Sequence, residues 1–385
     1  MKITVAIDSF KGSLTTLQAG FAVCEGVTKV YKNAEVHVSP IADGGEGTVD
    51  AIVSANEGIM KRVPVHNPLG EMIEAEYGMV GNVAVIEMSA AAGITLIEEK
   101  DRNPLNTTTF GVGEMIKDAI KEGCRKFVIG IGGSATNDGG VGMLQALGFE
   151  FYDKDGNFVE YGAKGLKDIA RIEKDNVSDV LGECSFSVAC DVKNVLCGEN
   201  GCSAVYGPQK GATPEMIREM DGWLKGYAEI TKSIIPEADE NAPGAGAAGG
   251  MGFALMAYLG AELKPGIELV MEQTGIEEQI KDSDYVITGE GRLDGQTYMG
   301  KTPVGVAKLA KKYKKPVIAL SGCVTEGAEL CNDHGIDAFF PILRVPCSLE
   351  EAMNTENAIK NIRDTAEQVM RLIKTIKKIV NNSDE

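Results

Sequence analysis

The sequence has little histidine, with three residues in 385, and none of its nine scattered cysteines are spaced as C-x-x-C. Zinc sites built from Cys and His need such pairs, so this class of metal site is excluded. A Ser-His-Asp hydrolase is excluded too, because His37 lies in a predicted strand and His66 precedes a turn. We expect the odd set of thiols to be kept reduced in the cytoplasm.

Positive charge is scarce as well. The chain has 38 Lys and Arg against 56 Asp and Glu, a formal net charge of −18. Such a surface repels phosphate backbones and anionic lipids, which excludes broad binding to nucleic acid or membranes. A small phosphorylated ligand is compatible with this charge, because local lysines, backbone N–H groups or Mg²⁺ outweigh the global field at short range.

Long apolar segments of the kind that enter a membrane are also missing. The apolar stretch at the N-terminus meets Asp8 too early to be a secretory signal. One uncharged run, Ala242–Ala261, is long enough to span a bilayer, but glycines crowd its first half. We expect a glycine-rich loop leading into a buried helix there, and a cytoplasmic protein without a membrane partner.

The pattern of apolar runs predicts an α/β protein. Short β-branched runs alternate with helical stretches, which is typical of a parallel sheet covered on both faces. The predicted strands near the termini and in the centre are Ile3–Ile7, Glu35–Val38, Val83–Ile86, Phe127–Gly130, Tyr285–Thr288, Pro316–Leu320 and Ala338–Pro341. Leu349–Val380 is predicted as one helix.

The length of 385 residues corresponds to two domains at roughly 150 residues each. The strands near both termini have a doubly wound pattern, whereas Lys61–Val65 and Ile73–Tyr77 alternate as antiparallel strands do. We therefore expect two α/β domains around a cleft. One is a doubly wound, parallel three-layer domain built from residues 1–66 and 285–385, and the other is an inserted mixed-sheet domain of residues 67–284.

Glycine is abundant, at 47 residues, and three clusters match phosphate-binding patterns by letter. Gly295–Thr302 reads G-x-x-x-x-G-K-T, but the predicted strand before it ends near Thr288, too early for a P-loop. Gly244–Gly249 reads G-x-G-x-x-G without a strand before it. Gly130–Ala135 reads G-x-G-x-x-A directly after a strand, which favours an anion-binding loop and leaves a dinucleotide fingerprint as an alternative.

Acidic residues follow five predicted strands, at the edge of the sheet where α/β proteins bind ligands. They are Asp8, Asp43, Glu87, Asp191 and Glu290, where Asp191 follows a further short apolar run, Ser187–Cys190. One such residue is usually a cap or turn former. Five together, with glycine, Lys and Arg nearby, indicate Mg²⁺–phosphate chemistry, in which carboxylates hold the metal and cations meet the phosphate. The residues by themselves predict a two-domain small-molecule kinase.

Several long motifs resemble the bacterial glycerate kinase family of type I, over nearly the whole chain. The matching segments are residues 8–13 (DSFKGS), 40–48 (PIADGGEGT), 130–140 (GIGGSATNDGG), 189–194 (ACDVKN), 206–212 (YGPQKGA), 243–252 (PGAGAAGGMG) and 288–294 (TGEGRLD). The resemblance implies phosphorylation of D-glycerate by ATP with Mg²⁺, usually at the 2-hydroxyl, giving 2-phosphoglycerate. It also implies that the P-loop letters at Gly295–Thr302 are coincidental.

We predict the following site residues. The catalytic residues are Asp191, Lys11 and Asp43, and Asp191 is chosen over Asp43 as the base that accepts the hydroxyl proton, with the choice between them open. Glycerate is assigned to Ser9, Lys11, Gly44, Gly45 and Arg292. The ATP phosphates are assigned to a loop at a helix N-terminus, with contacts from Gly132, Gly133, Ser134, Thr136 and Asn137. Magnesium is assigned to Asp43, Glu46 and Asp294.

Three alternatives remain open at this point. The chain is a kinase of another small hydroxy acid, an NAD-linked dehydrogenase using the Gly130 loop with Glu150 as its acidic partner, or a non-catalytic binding protein for organic acids. A monomer and a homodimer are equally compatible with the sequence.

Overall fold

The computed structural model describes residues 1–383, without the side chains of residues 380, 381 and 383. The chain divides into two compact units. The terminal unit consists of Met1–Asp43, Asp50–Ala55 and the described residues from Val270 onward. The middle unit consists of Gly44–Val49 and Asn56–Leu269.

The described chain contains both strands and α-helices. The strands are β1 (Lys2–Ile7), β2 (Glu35–Val38), β3 (Ile59–His66), β4 (Met72–Val80), β5 (Val83–Glu87), β6 (Lys126–Gly130), β7 (Glu150–Tyr152), β8 (Arg171–Glu173), β9 (Ser185–Ala189), β10 (Glu262–Lys264), β11 (Tyr285–Leu293), β12 (Val317–Val324) and β13 (Ala338–Pro341). The helices are α1 (Thr16–Val30), α2 (Thr48–Ala55), α3 (Ser89–Ala92), α4 (Phe110–Lys121), α5 (Val141–Leu147), α6 (Ala163–Leu166), α7 (Cys202–Tyr206), α8 (Pro214–Ile234), α9 (Ala247–Leu259), α10 (Gly266–Thr274), α11 (Ile276–Asp282), α12 (Thr302–Lys312), α13 (Leu330–Asp333), α14 (Leu349–Met353) and α15 (Thr355–Ser383).

The sheet of the terminal unit is parallel throughout, in the order β13-β12-β11-β1-β2. Alternate residues of β1 point to opposite faces of the sheet. Ile3, Val5 and Ile7 enter a core with α1 and α15, while Thr4 faces Ser283 at the end of α11, with 2.6 Å between the hydroxyl oxygens. The unit is therefore the three-layer, doubly wound arrangement, and the strand order reverses between β1 and β11.

β11 and β12 extend beyond their predicted ends at Thr288 and Leu320, as far as Leu293 and Val324. The polar, glycine-containing segment after Thr288, which the prediction placed outside the strand, is therefore part of β11. The two strands approach so closely that a Cβ on Gly289 would lie 1.8 Å from the Leu320 carbonyl oxygen. Glycine is needed here for strand packing, and not for a turn.

The sheet of the middle unit is mixed, in the order β10-β9-β6-β5-β4-β3. β3, β4 and β5 pair antiparallel, as the alternation of their sequences predicts, and β5, β6, β9 and β10 pair parallel. β7 and β8 form a separate antiparallel pair. The protein is thus an α/β protein with one parallel and one mixed sheet.

The predicted domain boundaries at residues 66/67 and 284/285 differ from those of the two units. β3 pairs with β4 along its whole length, from Ile59 opposite Met79 to His66 opposite Met72, so it belongs to the middle unit. α11 packs against β1 and belongs to the terminal unit. Both assignments depend on pairing between distant segments, which local composition does not report.

Two predicted segments differ in detail. Leu349–Val380 is not one helix, because Asn354 adopts an extended conformation between α14 and α15 and its side chain accepts a hydrogen bond from the Asn357 N–H. In Ala242–Ala261 a loop leads into the buried α9, and residues 248–250 of that helix adopt left-handed conformations. Among the helices described, none combines the length and the apolar character that a membrane crossing requires.

Candidate active site

The terminal unit places carboxylates side by side at the carboxyl end of its sheet. Asp8 directly follows β1, and its N–H donates to the Gly289 carbonyl of β11 at 2.9 Å. Because Ile7 is paired with Gly289, the next residue of β11, Glu290, comes beside Asp8. Asp8 and Glu290 were recognised in the sequence as acidic strand ends but were not among the predicted site residues.

Asp8 is buried, with 5% of its surface exposed, and both carboxylate oxygens accept hydrogen bonds. The Ser9 N–H donates at 2.7 Å and the Thr302 hydroxyl at 2.8 Å. Burial raises the pKa of Asp8 to about 6, and the charge of Asp43 adds to the rise against the two hydrogen bonds. Asp8 therefore changes its charge close to neutral pH.

The pKa of Glu290 is raised as well. Burial raises its pKa to about 7, although the Thr297 hydroxyl donates to it at 2.7 Å and Lys301 contributes a positive charge. Asp294 differs, because burial alone would raise its pKa, but the Gln296 N–H and the charges of Lys301 and Arg292 lower it. The charged form of Asp294 is thus favoured, whereas Asp8 and Glu290 take up protons more readily.

Three cations accompany these carboxylates. Lys11 Nζ lies 3.7 Å from Asp43 Oδ2, Arg292 Nε lies 3.2 Å from Asp294 Oδ2, and Lys301 Nζ lies 3.7 Å from Asp294 Oδ1. Arg292 and Lys11 are exposed, so their remaining N–H groups face solvent. Such groups suit an anionic ligand, since charge-assisted hydrogen bonds are stronger than neutral ones.

Apart from Asp294, these side chains line a pocket of about 480 Å³ within the terminal unit. We call its polar side the charged wall, which consists of Asp8, Lys11, Asp43, Glu290, Arg292 and Lys301. A second set of lining residues, the apolar wall, consists of Ile342, Leu343, Leu349, Ala352, Met353 and Ala358. The predicted residues Ser9, Lys11, Asp43 and Arg292 are therefore brought together, whereas Gly44, Gly45 and Glu46 belong to the middle unit.

In the middle unit, the Gly44–Gly45 turn packs against the carboxyl ends of the strands. Gly44 has a φ of +88°, and a Cβ there would lie 2.7 Å from both Ala189 Cβ and Gly266 Cα. The Gly266 N–H donates to Asp191 Oδ1 at 2.9 Å. This fixes the exposed Asp191 just after β9, beside the turn.

The predicted phosphate loop is accessible only in its first half. Gly132 and Gly133 are exposed and Ser134 is half-buried, whereas Thr136 and Asn137 are fully buried. Asn137 Nδ2 donates to the Ser203 hydroxyl at 2.8 Å. The side chains of Thr136 and Asn137, which were predicted to contact the ATP phosphates, are thus enclosed by the protein in this structure.

The helix N-terminus after this loop is occupied by the protein itself. α5 begins at Val141, and the buried Asp138 carboxylate accepts the N–H groups of Gly140 and Gly142 at 3.2 and 3.3 Å. Burial raises the pKa of Asp138 against these bonds. This helix N-terminus is therefore already occupied by a carboxylate of the protein. A dinucleotide fingerprint needs that N-terminus for pyrophosphate and is disfavoured.

A buried lysine lies beneath the loop and was missed in the sequence. Lys210 is 2% exposed, and its Nζ donates to the Ser134 hydroxyl at 2.8 Å and to the Thr136 carbonyl at 2.5 Å. Burial lowers its pKa to about 8, although the charges of Cys202 and Asp138 oppose the shift. The available signal was its place in the motif of residues 206–212.

The carboxylates fit magnesium only in company with another ligand. Within residues 1–383, no three His, Cys, Asp or Glu side chains lie close enough to hold a metal ion by themselves. Mg²⁺ is usually bound by one or two carboxylates, with waters and substrate phosphates completing its shell. Asp8, Asp43, Glu290 and Asp294 supply oxygen donors of this kind, so the residues suit an ion that arrives with a phosphate ligand.

Comparison with known proteins agrees with this chemistry. The chain is 48% identical over 367 residues to the glycerate kinase of Halalkalibacterium halodurans, covering 94% of this chain and 97% of that protein. It is 46% identical over 378 residues to the glycerate 2-kinase of Escherichia coli, covering 96% and 99%. A crystal structure of a putative glycerate kinase 2 from Salmonella typhimurium superposes with a TM-score of 0.91 at 45% identity, covering 98% and 99%.

The sequence model of the glycerate kinase family matches residues 3–374. This match spans both units and favours a kinase over the dehydrogenase and the binding protein considered above. Together with relatives more than 40% identical over almost their full length, it establishes that the chain belongs to the glycerate kinase family and is a kinase.

Proposed function

We propose that this enzyme transfers the γ-phosphoryl group of ATP to the 2-hydroxyl of D-glycerate and releases 2-phosphoglycerate and ADP. The observation that carries the proposal is the 46% identity to the Escherichia coli glycerate 2-kinase over 96% of the chain. In the reaction the hydroxyl oxygen bonds to the γ-phosphorus, the bond from phosphorus to the ADP oxygen breaks, and the hydroxyl proton leaves to a base.

We propose Asp191 as that base. Its position just after β9 is fixed by the hydrogen bond from the Gly266 N–H, and its exposure leaves it open to a small hydroxyl. A carboxylate held in this way is oriented before the substrate binds, which is what general-base catalysis requires. Asp43 is the alternative base, and the substitution described in the Discussion separates the two.

Anionic reactants have two sets of donors in this protein. In the terminal unit Lys11 and Arg292, with Ser9, line the pocket, and in the middle unit Gly132, Gly133 and Ser134 present a loop supported by the charge of Lys210. The predicted magnesium ligands Asp43 and Asp294 lie with the first set. Bound Mg²⁺ would neutralise charge on the transferring phosphoryl group.

We also propose that the enzyme acts in the cytoplasm on small molecules alone. All nine cysteines are free thiols in the structure, which suits a reducing compartment. The net charge of −18 disfavours nucleic acid as a partner.

The test is ADP release with MgATP and D-glycerate, compared with L-glycerate and with no acceptor. Phosphorus–proton coupling in the NMR spectrum of the product then identifies the 2- or the 3-position. Turnover specific for D-glycerate with coupling to the C2 proton is expected. Coupling to the C3 protons would overturn the assigned position, and faster turnover of another small hydroxy acid would favour the alternative substrate.

A further inference from the structure

We infer that the pocket of the terminal unit binds a nucleoside triphosphate together with its magnesium ion, and that this unit is the nucleotide-binding half of the enzyme. The inference rests on the proposed MgATP-dependent reaction, because it names the place of one reactant. It replaces the prediction that the ATP phosphates bind the Gly132–Asn137 loop and that Ser9, Lys11 and Arg292 bind glycerate.

The position of the pocket is the first argument. Its lining includes Asp8 and Ser9, which follow β1, and the carboxyl-terminal parts of β11 and β12. The strand order β13-β12-β11-β1-β2 reverses between β1 and β11. Doubly wound sheets bind nucleotides at this switch point, because the loops on either side diverge to opposite faces and leave a crevice. The crevice here is built by residues of the terminal unit alone.

The charged wall matches a polyphosphate with a divalent cation. Lys11, Arg292 and Lys301 supply positive charge for phosphate oxygens, while the carboxylates beside them supply hard oxygen donors for a magnesium ion. A bare carboxylate ligand would need only the cations, and the carboxylates of Asp8, Asp43 and Glu290 in the same lining would repel it. A ligand that is an anion with a bound cation explains why the charged wall contains both positive and negative side chains.

The apolar wall needs a ligand with an apolar face. Leu349 is 78% exposed, Leu343 38% and Met353 37%, although all three line the pocket. Glycerate has three carbons, of which one is the carboxylate carbon and the other two each carry a hydroxyl. It would therefore leave these apolar side chains exposed to solvent. A nucleobase is flat and apolar on both faces and would cover them.

The two walls are held against each other within the unit. The Thr355 hydroxyl donates to the Ser13 carbonyl at 2.9 Å, which ties the start of α15 to the loop after β1. Gly12, with a φ of +76°, leaves room for Met353, since a Cβ there would lie 2.9 Å from its Cε. A volume of about 480 Å³ also falls within the range of about 300–1,000 Å³ for sites that enclose ligands of this size.

Two residues that line the pocket and are not buried can be substituted as a test without disturbing the fold. Leu349→Asp places a carboxylate on the apolar wall at the first residue of α14, where an acidic residue suits the helix dipole. Its matched control is Leu372→Asp on α15, which changes an exposed leucine outside the pocket. Lys301→Ala removes a cation of the charged wall, and Lys308→Ala on α12 is its control.

Calorimetric titration with adenylyl imidodiphosphate and Mg²⁺, and separately with D-glycerate, gives the readout. We expect both pocket variants to raise the nucleotide Kd at least tenfold and to leave the glycerate Kd within twofold, while both controls match the wild type. Unchanged nucleotide affinity in Leu349→Asp and Lys301→Ala, or a loss confined to glycerate, overturns the inference. Photolabelling with 8-azido-ATP gives a second readout, with crosslinks expected in residues 342–358 and crosslinks confined to residues 130–137 overturning it.

The outcomes also separate this inference from the proposed function. Nucleotide binding that the pocket variants weaken, in an enzyme that does not phosphorylate glycerate, supports the inference and rejects the proposed substrate. Normal turnover of D-glycerate with pocket variants that change only the KM for glycerate supports the proposed function and rejects the inference.

Discussion

Thr302 donates a hydrogen bond of 2.8 Å from its hydroxyl to the buried carboxylate of Asp8, although 294 positions separate the two residues. The bond joins the first residue of α12 to the end of β1 and lowers the pKa of Asp8 against the effect of burial. We expect Thr302→Val to destabilise the protein by about 1–3 kcal/mol, since a buried acceptor loses its donor. Urea unfolding at pH 7.5 measures this, and Thr302→Ser, which keeps the hydroxyl, is the control. A Thr302→Val protein as stable as Thr302→Ser would contradict the role of the bond.

Glu290 should make stability depend on pH. Its pKa is about 7 in the folded protein and 4.5 ordinarily, so the folded state binds the proton more tightly and the free energy of unfolding falls as pH rises from 4.5 to 7. Glu290→Gln removes this dependence. Both proteins are unfolded in urea at pH 5 and pH 8, in EDTA and without nucleotide. The free energy of unfolding of Glu290→Gln, relative to that of the wild type, should be higher at pH 8 than at pH 5. The exposed Glu278→Gln is the control, and a constant difference between wild type and Glu290→Gln would refute the prediction.

Lys210 should give a dependence of opposite sign at higher pH. Its pKa falls from 10.5 to about 8 on folding, so the unfolded state binds more protons between these values and stability rises with pH through that window. Lys210→Met loses two hydrogen bonds at every pH but lacks the titration. The stability of wild type minus that of Lys210→Met should be constant below pH 8 and increase towards pH 10. If the stabilities of wild type and Lys210→Met differ by the same amount at every pH, a lowered pKa of Lys210 is contradicted.

Position 44 requires glycine both because its φ is positive and because neighbouring atoms leave no room for a Cβ. Gly44→Ala must adopt a left-handed backbone, at a cost of about 1–2 kcal/mol, and must also displace Ala189 and Gly266. Gly47→Ala is the matched control, because Gly47 has a φ of +89° with no atom within 4 Å of the position of a Cβ. We expect Gly44→Ala to be the less stable by about 1–3 kcal/mol in urea unfolding. Equal losses in the two variants would show that the close packing around Gly44 is unimportant.

Asp191→Asn tests the proposed base. Removing the proton acceptor while keeping the shape should lower kcat by about 10²-fold or more, with nucleotide affinity retained. Steady-state ADP release and calorimetry measure the two quantities. Asp155→Asn, on an exposed turn of the middle unit, should behave as the wild type does. Wild-type turnover in Asp191→Asn would reject the assignment and leave Asp43 as the candidate.

The order of strands and helices could be predicted because apolar periodicity is local. Continuous runs such as Ile3–Ile7 indicate buried parallel strands, and Asp8 and Asp191 could be placed at the ligand-binding edge because carboxyl ends of parallel strands share that edge. The resemblance of long ordered motifs indicated the family, which the match over residues 3–374 establishes. These conclusions needed no knowledge of which distant segments touch.

Tertiary structure alone decided the rest. The predicted strand stops before the glycines at residues 289 and 291, yet Gly289 allows β11 and β12 to approach each other, because its contact is with Leu320, 31 positions away. The pairing of Asp8 with Thr302, the lysine under Ser134 and the joining of the apolar and charged walls in one pocket arise in the same way. Burial, and with it the pKa of each carboxylate and of Lys210, depends on neighbours brought together by folding, and a linear sequence does not contain those distances.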